Sequence, residues 1–307
     1  MFRNYAEIEK FVLESGFKAT VALAASHDDD ALNSVVTAKR KGIIKAILIG
    51  NEEKTKELLR EMKEPEEDYQ FINELDNAAA VRTAVRLVNQ KDADMPMKGL
   101  MPTAVFLRGI LDKEQGFVPD KGLISVANIY QITKEDRLLI LTDCAINIEP
   151  DYAAKVKILN NSVKLAHQLG IECPKVAVVA PVEVINPAMQ STIDAAMLSK
   201  ANERGQIKGC IVDGPLGLDN AVSAEAAHHK GIISPVAGQP DLILFPELAS
   251  ANMFSKGIIY FGDGSPSCGV AVGTTVPVIM TSRSDTAVNK YNSILIGALQ
   301  TIKKDVK

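Results

Sequence analysis

Short, nearly continuous apolar runs alternate along this chain with longer segments of helical period. The runs are TVALAAS (20–26), IKAILIG (44–50), LLILTD (138–143), VAVVAP (176–181), GCIVDG (209–214), DLILFP (241–246), GIIYF (257–261) and VPVIM (276–280). Apolar strands with few polar interruptions are those covered on both faces, so the pattern predicts mostly parallel sheets flanked by helices. Between them, residues 28–42 (DDDALNSVVTAKRKG) begin acidic and end basic, in keeping with a helix dipole. Residues 1–16, 52–64, 75–90 and 151–170 have the same helical character. The segment 285–304 puts Ala287, Tyr291, Ile294, Leu295, Ala298, Leu299 and Ile302 on one face, with Ser284 or Asp285 suited to cap it. The proline and acids of IEPDYAAKV mark one boundary, near Ile148.

A chain of 307 residues, 47% apolar, buries enough surface for two ordinary domains. The formal net charge is -4, and lysines and acids are interspersed without a basic block, which argues against a nucleic-acid partner. No run reaches the roughly 18 uninterrupted apolar residues of a membrane span, and the first residues lack the layout of a secretory signal. Cys144, Cys173, Cys210 and Cys268 have no C-x-x-C spacing, so neither a zinc site nor a disulfide framework is indicated. A cytoplasmic protein without membrane partners is the expectation.

Familiar phosphate motifs do not fit. There is no G-x-x-x-x-G-K-[ST], and GDGSPSCGVAVG (262–273) departs from G-x-G-x-x-G after its second glycine, leaving a surface turn or an anion cradle. His27 with Asp28, Asp29 and Asp30 follows a strand and opens a helix, where acids serve as caps, so no metal is assigned. His228 and His229 are adjacent and diverge by about 100° on a helix, unlike a chelating i, i+4 pair.

The ends of the apolar runs carry more chemistry. TDCAINIEP (142–150), DGPLGLDNAVS (213–223), SPVAGQPDLILFPELASANMFSK (234–256) and TSRSD (281–285) place small and polar residues where ligands of open parallel sheets bind. Ser234 and Asn252 are substrate-binding candidates in the third of these. In TSRSD a helix start offers free N–H groups, Ser282 and Ser284 offer hydroxyls, and Arg283 offers a planar fork for phosphate oxygens. The same residues also describe a capped helix with a solvated arginine. Arg108, on a helix between apolar neighbours, either lies along the helix surface or serves as a second cation.

KGLMPTAVFLRGILDKEQG, LTDCAINIEPD, DGPLGLDNAVSAEAAHHKGIISPVAGQPDLILFPELASANMFSK and VPVIMTSRSDTAVNKYNSI together resemble the phosphate acetyltransferase/phosphate butyryltransferase family, closest to its butyryl branch. The resemblance runs from about Val21 to the last helix. It implies reversible transfer of a short acyl group, butyryl or branched, between coenzyme A and inorganic phosphate. No bound cofactor and no metal are implied; the CoA thioester and phosphate are substrates. It further implies two three-layer α/β domains like those of isocitrate and isopropylmalate dehydrogenases, with a cleft between them, and a homodimer. The expected division is residues 1–147 plus 283–307 against 148–282.

Residue by residue, the resemblance sets Ser282 and Arg283 beside the thioester sulfur and the phosphate, and makes Arg108 a ligand of phosphate or carbonyl oxygen. Asn289 stands where the acetyl branch carries an aspartate assigned as the base for CoA. Asp285 is then the nearby carboxylate, as a base or as a helix cap. Arg82 and Arg86 are candidates for a second family arginine, and Ser284 and Asn289 complete the substrate-binding set. The segment 265–269 reads Ser-Pro-Ser-Cys-Gly where butyryl-type chains are expected to carry K-S-A-G. Three alternatives remain: a phosphate acetyltransferase, a dehydrogenase of related fold, and a non-catalytic CoA or acyl-phosphate binding protein.

Overall fold

The computed structural model describes residues 1–303; the last residue of the expected terminal helix segment, and the end of 283–307, lie outside them. From the amino terminus the elements are α1 (Tyr5–Glu14), β1 (Ala19–Ala24), α2 (Asp29–Arg40), β2 (Ile44–Gly50), α3 (Glu52–Glu61), β3 (Gln70–Asn73), α4 (Asn77–Asn89), β4 (Met95–Lys98) and α5 (Thr103–Ile110). Three of these helices begin for the same local reason. Asp28, Asn51 and Asp76 each accept the backbone N–H three residues on, from Ala31, Lys54 and Ala79, and so satisfy a donor that the first helical turn leaves free. The acidic run after His27 is thus spent partly on capping.

The four strands lie in the order β3-β2-β1-β4, with every pair parallel. β1 is central and buried along nearly its whole length, as its unbroken apolar sequence requires.

The chain continues through β5 (Ser125–Ile132), β6 (Arg137–Thr142), α6 (Tyr152–Gln168), β7 (Lys175–Val179), α7 (Gln190–Glu203), β8 (Ile211–Leu216), α8 (Leu218–Val222), α9 (Ala224–His229), β9 (Leu242–Leu244) and α10 (Leu248–Phe261). These five strands follow the order β5-β6-β9-β7-β8, antiparallel only between β5 and β6. Tyr130, Leu141, Val179, Ile243 and Phe245 meet in one apolar core. Two elements then remain, β10 (Ser267–Val272) and α11 (Ala287–Ile302).

Tyr5–Gly122 and residues 266–303 make one compact unit, and Met1–Asn4 with Leu123–Ser265 make another. The expected crossings, after 147 and after 282, therefore fall elsewhere. Strand pairing explains the shift: β6 pairs with both β5 and β9, holding 125–142 in the central unit. In the amino-terminal unit, Ala271 bridges Val278 and Met97 bridges Ile279 in parallel, which ties in the segment before TSRSD. Lys98 donates its amide to the Ile279 carbonyl and Ile279 donates to that of Pro96, each at 3.0 Å. VPVIM thus extends the sheet beyond β4.

α11 packs on this sheet with Ile294, Leu295, Ile296 and Leu299 at 0% exposure, a burial worth roughly 1.5–3 kcal/mol for each side chain. GIIYF, expected as a strand, is the last turn of α10. Glu247 caps that helix through the Ala249 and Ser250 amides, and it runs unbroken until Gly262. GDGSPSCGVAVG divides into a short loop and then β10.

Candidate active site

In the amino-terminal unit three parallel backbones end side by side. β1 gives way to Ser26, His27 and Asp28; β4 ends at Lys98 and Gly99; the bridge at Ile279 is followed by Thr281 to Asp285. The carboxyl edge of a parallel sheet collects helix N-termini, here those of α2, α5 and α11, and with them unpaired N–H groups and partial positive charge. Close backbone approach makes this edge possible. Ala25 turns the chain at φ 58°, Ser26 donates its amide to the Ile49 carbonyl, and Leu100 donates to that of Ala25. A Cβ on Gly99 would lie 2.1 Å from the Ala25 oxygen, so only glycine fits there.

TSRSD forms a folded-back turn. The Ser282 amide donates to Asp285 Oδ2 at 2.6 Å, the Asp285 amide donates to the Ser282 carbonyl at 3.2 Å, and the Ser282 and Ser284 hydroxyls stand 3.1 Å apart. Ser282, Arg283 and Ser284 are exposed. The Arg283 guanidinium has no hydrogen bond or ion pair among the described residues. Neither Ser284 nor Asp285 caps α11; Thr286 does, accepting the Asn289 amide, because the helix begins only at Ala287. Asn289 faces the start of β10, where its Oδ1 accepts the Ser267 amide at 3.3 Å.

Two buried lysines stand beside this turn. Lys290, 2% exposed, donates through Nζ to the Asp285 carbonyl at 2.6 Å and lies 3.9 Å from Asp30 Oδ2. Lys98 is 3% exposed, and among the described residues the only bond of its ammonium is a 3.3 Å donation to the Gly99 carbonyl. Burial pushes the Lys98 pKa down, the positive charges of Arg283 and Lys290 add to that, and Asp28 and Asp285 oppose it. The Thr281 hydroxyl is buried without a partner. His27 Nδ1 is likewise buried and unpaired, and burial, assisted by Lys54 and opposed by Asp28, lowers its pKa, so it stands neutral at pH 7.

Arg82, Arg86 and Arg108 come together elsewhere in the same unit. They line a groove of about 260 Å³ along α4 and α5, floored by Ala78, Val85 and Val105. Arg82 is 4.0 Å from Asp76, and Arg86 donates to Gln90 Oε1. Arg108 is exposed and lies five residues into α5, about 7.5 Å along the axis from its first residue. Ser234 and Asn252 belong to the central unit. Ser234 Oγ accepts the Val236 and Ala237 amides, and Asn252 Nδ2 donates to the Cys144 carbonyl, so both are engaged in holding loops.

Eight of the ten candidate residues therefore share one unit. The two buried lysines were not among them. Lys98 was signalled by K-G directly after a short apolar run, and Lys290 by a charge inside an otherwise apolar helix face. Among the described residues no cluster of His, Cys, Asp and Glu has the makings of a metal site, and no helix is long and apolar enough to cross a membrane.

The profile of the phosphate acetyl/butaryl transferase family matches residues 66–298, a span that includes β4, α5 and TSRSD. The chain belongs to this family. Its relatives include the phosphate butyryltransferase of Clostridium acetobutylicum, 46% identical over 299 residues, covering 97% of this chain and 98% of that one. The phosphate butyryltransferase of Clostridium beijerinckii is 44% identical over the same shares. Among solved structures, a branched-chain phosphotransacylase from Enterococcus faecalis superposes with a TM-score of 0.81 at 29% identity, over 92% of this chain and 99% of that one. As a phosphate acetyl/butaryl transferase family member the chain has an α/β fold with parallel-dominated sheets, as its alternating pattern implied.

Proposed function

We infer that this protein catalyses reversible transfer of a short acyl group between coenzyme A and inorganic phosphate, as a phosphate butyryltransferase. The near-full-length match to enzymes of that name carries the reading. The site chemistry supports it. Acyl transfer from a thioester to phosphate needs cations and hydrogen-bond donors where negative charge gathers, and exclusion of water from the acyl phosphate. Ser282 and the unpaired Arg283 supply donors at the exposed lip of the strand ends, with the buried cations behind them.

In the reaction as proposed, a phosphate oxygen bonds to the thioester carbonyl carbon while the C–S bond breaks. The electron pair leaves with sulfur, and the proton of hydrogen phosphate ends on the thiol. Arg283 binds phosphate, Ser282 donates to the departing sulfur, and Asp285 holds the turn. Arg108, with Arg82 and Arg86 beside it in the α4/α5 groove, is proposed as an anion contact for the substrates.

Release of free thiol from butyryl-CoA, measured with and without phosphate, tests this reading. Phosphate-dependent release is expected; absent or phosphate-independent release across short acyl chains overturns it. Assembly as a homodimer belongs to the same proposal. Met253, Tyr260 and Phe261 are exposed on α10 and supply apolar surface of the kind an interface covers. Light scattering gives the mass directly, and a monomer removes this part.

A further inference from the structure

Lys98, Lys155 and Lys290 are the buried lysines among the described residues. A buried ammonium is stable only when its charge and its three donors find partners. Lys155 has one in Asp194, 2.5 Å away, and Lys290 has the Asp285 carbonyl with Asp30 beyond it. Among the described residues Lys98 forms no ion pair, and the single acceptor of its ammonium is the Gly99 carbonyl at the long distance of 3.3 Å. It is the one buried lysine without an ion pair among the described residues.

Its place in the fold says where that counter-charge belongs. Ala24 pairs with Lys98 across β1 and β4, and Met97 bridges Ile279. Lys98 thus leaves the sheet between the backbone that continues into Asp28 and the one that continues into Thr281 and Arg283. Thr281, 3% exposed, carries a buried hydroxyl with no partner. The charged groups acting on Lys98 are Asp28 at the start of α2, Arg283 and Asp285 in the turn, and Lys290 on α11. An ammonium with a single long hydrogen bond and an unsatisfied hydroxyl on adjacent strand ends, next to an unpaired guanidinium, form a donor set for one oxyanion.

We propose that Lys98 is a further substrate-contacting residue of the acyl transfer, donating from Nζ to an oxygen of inorganic phosphate, or of the acyl phosphate in reverse, with the Thr281 hydroxyl as a second donor to the same group. The proposal rests on the phosphate acyltransferase reading. Lys98 holds the phosphate whose oxygen attacks the thioester carbon and exchanges no proton in the step. Its effect therefore belongs to phosphate and not to the CoA thioester.

The test compares wild type with Lys98→Met, Lys98→Arg and Thr281→Val, varying phosphate and butyryl-CoA separately in the thiol-release assay. Loss of a charge-assisted hydrogen bond predicts that Lys98→Met lowers kcat/KM for phosphate by about 10- to 100-fold, with KM for butyryl-CoA within about twofold and a smaller loss in Thr281→Val. Lys98→Arg, which keeps the charge, recovers part of the loss. Equal losses for both substrates, or no loss for phosphate, overturn the proposal.

A second measurement does not depend on turnover. Inorganic phosphate should raise the thermal midpoint of wild type, and Lys98→Met should lose that rise; an equal rise in both overturns the proposal. Wild type without phosphate-dependent thiol release contradicts the acyltransferase reading, while the phosphate-induced midpoint shift still decides for or against Lys98.

Discussion

Consider replacing Asp285 by Asn. The aspartate holds the TSRSD turn closed by accepting the Ser282 amide at 2.6 Å. Asn keeps an acceptor oxygen at that place and loses the negative charge, whereas Ala loses both. A hydrogen bond to a charged group contributes about 1.5–3 kcal/mol, and partial exposure puts this one near the lower bound. About 1.5 kcal/mol is about tenfold in the population of the closed turn. A neutral acceptor keeps about half of that energy, so Asp285→Asn costs about threefold and Asp285→Ala about tenfold.

A general base would behave differently, since its removal costs about 10²- to 10⁴-fold whichever residue replaces it. Initial rates of phosphate-dependent thiol release across a pH series distinguish the two. The structural assignment predicts Asp285→Asn within about threefold of wild type with an unchanged pH profile, and a larger loss in Asp285→Ala. A fall of 100-fold or more in Asp285→Asn, with loss of the acidic limb, would refute it and make Asp285 the base.

Arg283→Ala should raise the phosphate concentration needed for half-maximal rate and lower turnover by about 10²- to 10³-fold, as for loss of an oxyanion donor; normal kinetics would remove it from the mechanism. Lys155→Ala leaves Asp194 buried without its cation and should destabilise by about 3–5 kcal/mol, while the apolar double replacement Lys155→Met with Asp194→Leu comes close to wild type in urea unfolding. Gly99→Ala drives a methyl against the Ala25 carbonyl and should lower stability by about 1–3 kcal/mol or more, together with activity, since the strand ends must part. Lys98 has a folded-state pKa below its ordinary value of about 10.4, so its charge costs stability below the folded pKa, and the cost fades as pH rises from there towards the unfolded value. Lys98→Met should therefore melt higher than wild type at pH 7, with an advantage that shrinks by pH 10. Brief alkylation of the native protein followed by mass spectrometry should modify Cys173, which is exposed, and spare the buried Cys144, Cys210 and Cys268; burial also pushes the thiol pKa of Cys144 up, and that of Cys210 to about 11.

The α/β architecture was legible because β1, β2, β6 and β7 are apolar over most of their length, and burial on both faces leaves that mark on the sequence. QFIN and MPMK were not legible as strands. Four residues with a glutamine and an asparagine, or with a proline and a lysine, show no period, and neighbouring strands alone decide their conformation. GIIYF misled for the opposite reason, since its β-branched and aromatic residues ride on a helix already capped at Glu247. TSRSD was legible as a strand-to-helix junction with anion chemistry, but its cap was not, because three consecutive hydroxyl or carboxyl residues compete for that position. For Lys98 the K-G after a short apolar run was a signal of position but not of burial. Its burial depends on a backbone that reaches β4 only after the whole central unit has intervened in the sequence.

That long reach has a consequence for how the protein is made. Until the segment around Ile279 emerges from the ribosome, β4 is the open margin of a nascent sheet, with unpaired amides and carbonyls able to template association with other chains. Roughly 180 residues of synthesis separate Met97 from its bridge partner, about 10 to 40 s at ordinary elongation rates. Pro96 and Lys98 are residues that natural sheets place on exposed margins to discourage such pairing. The lysine proposed to hold phosphate in the finished enzyme is therefore also a residue of the kind that discourages strand pairing along β4 while the chain is unfinished.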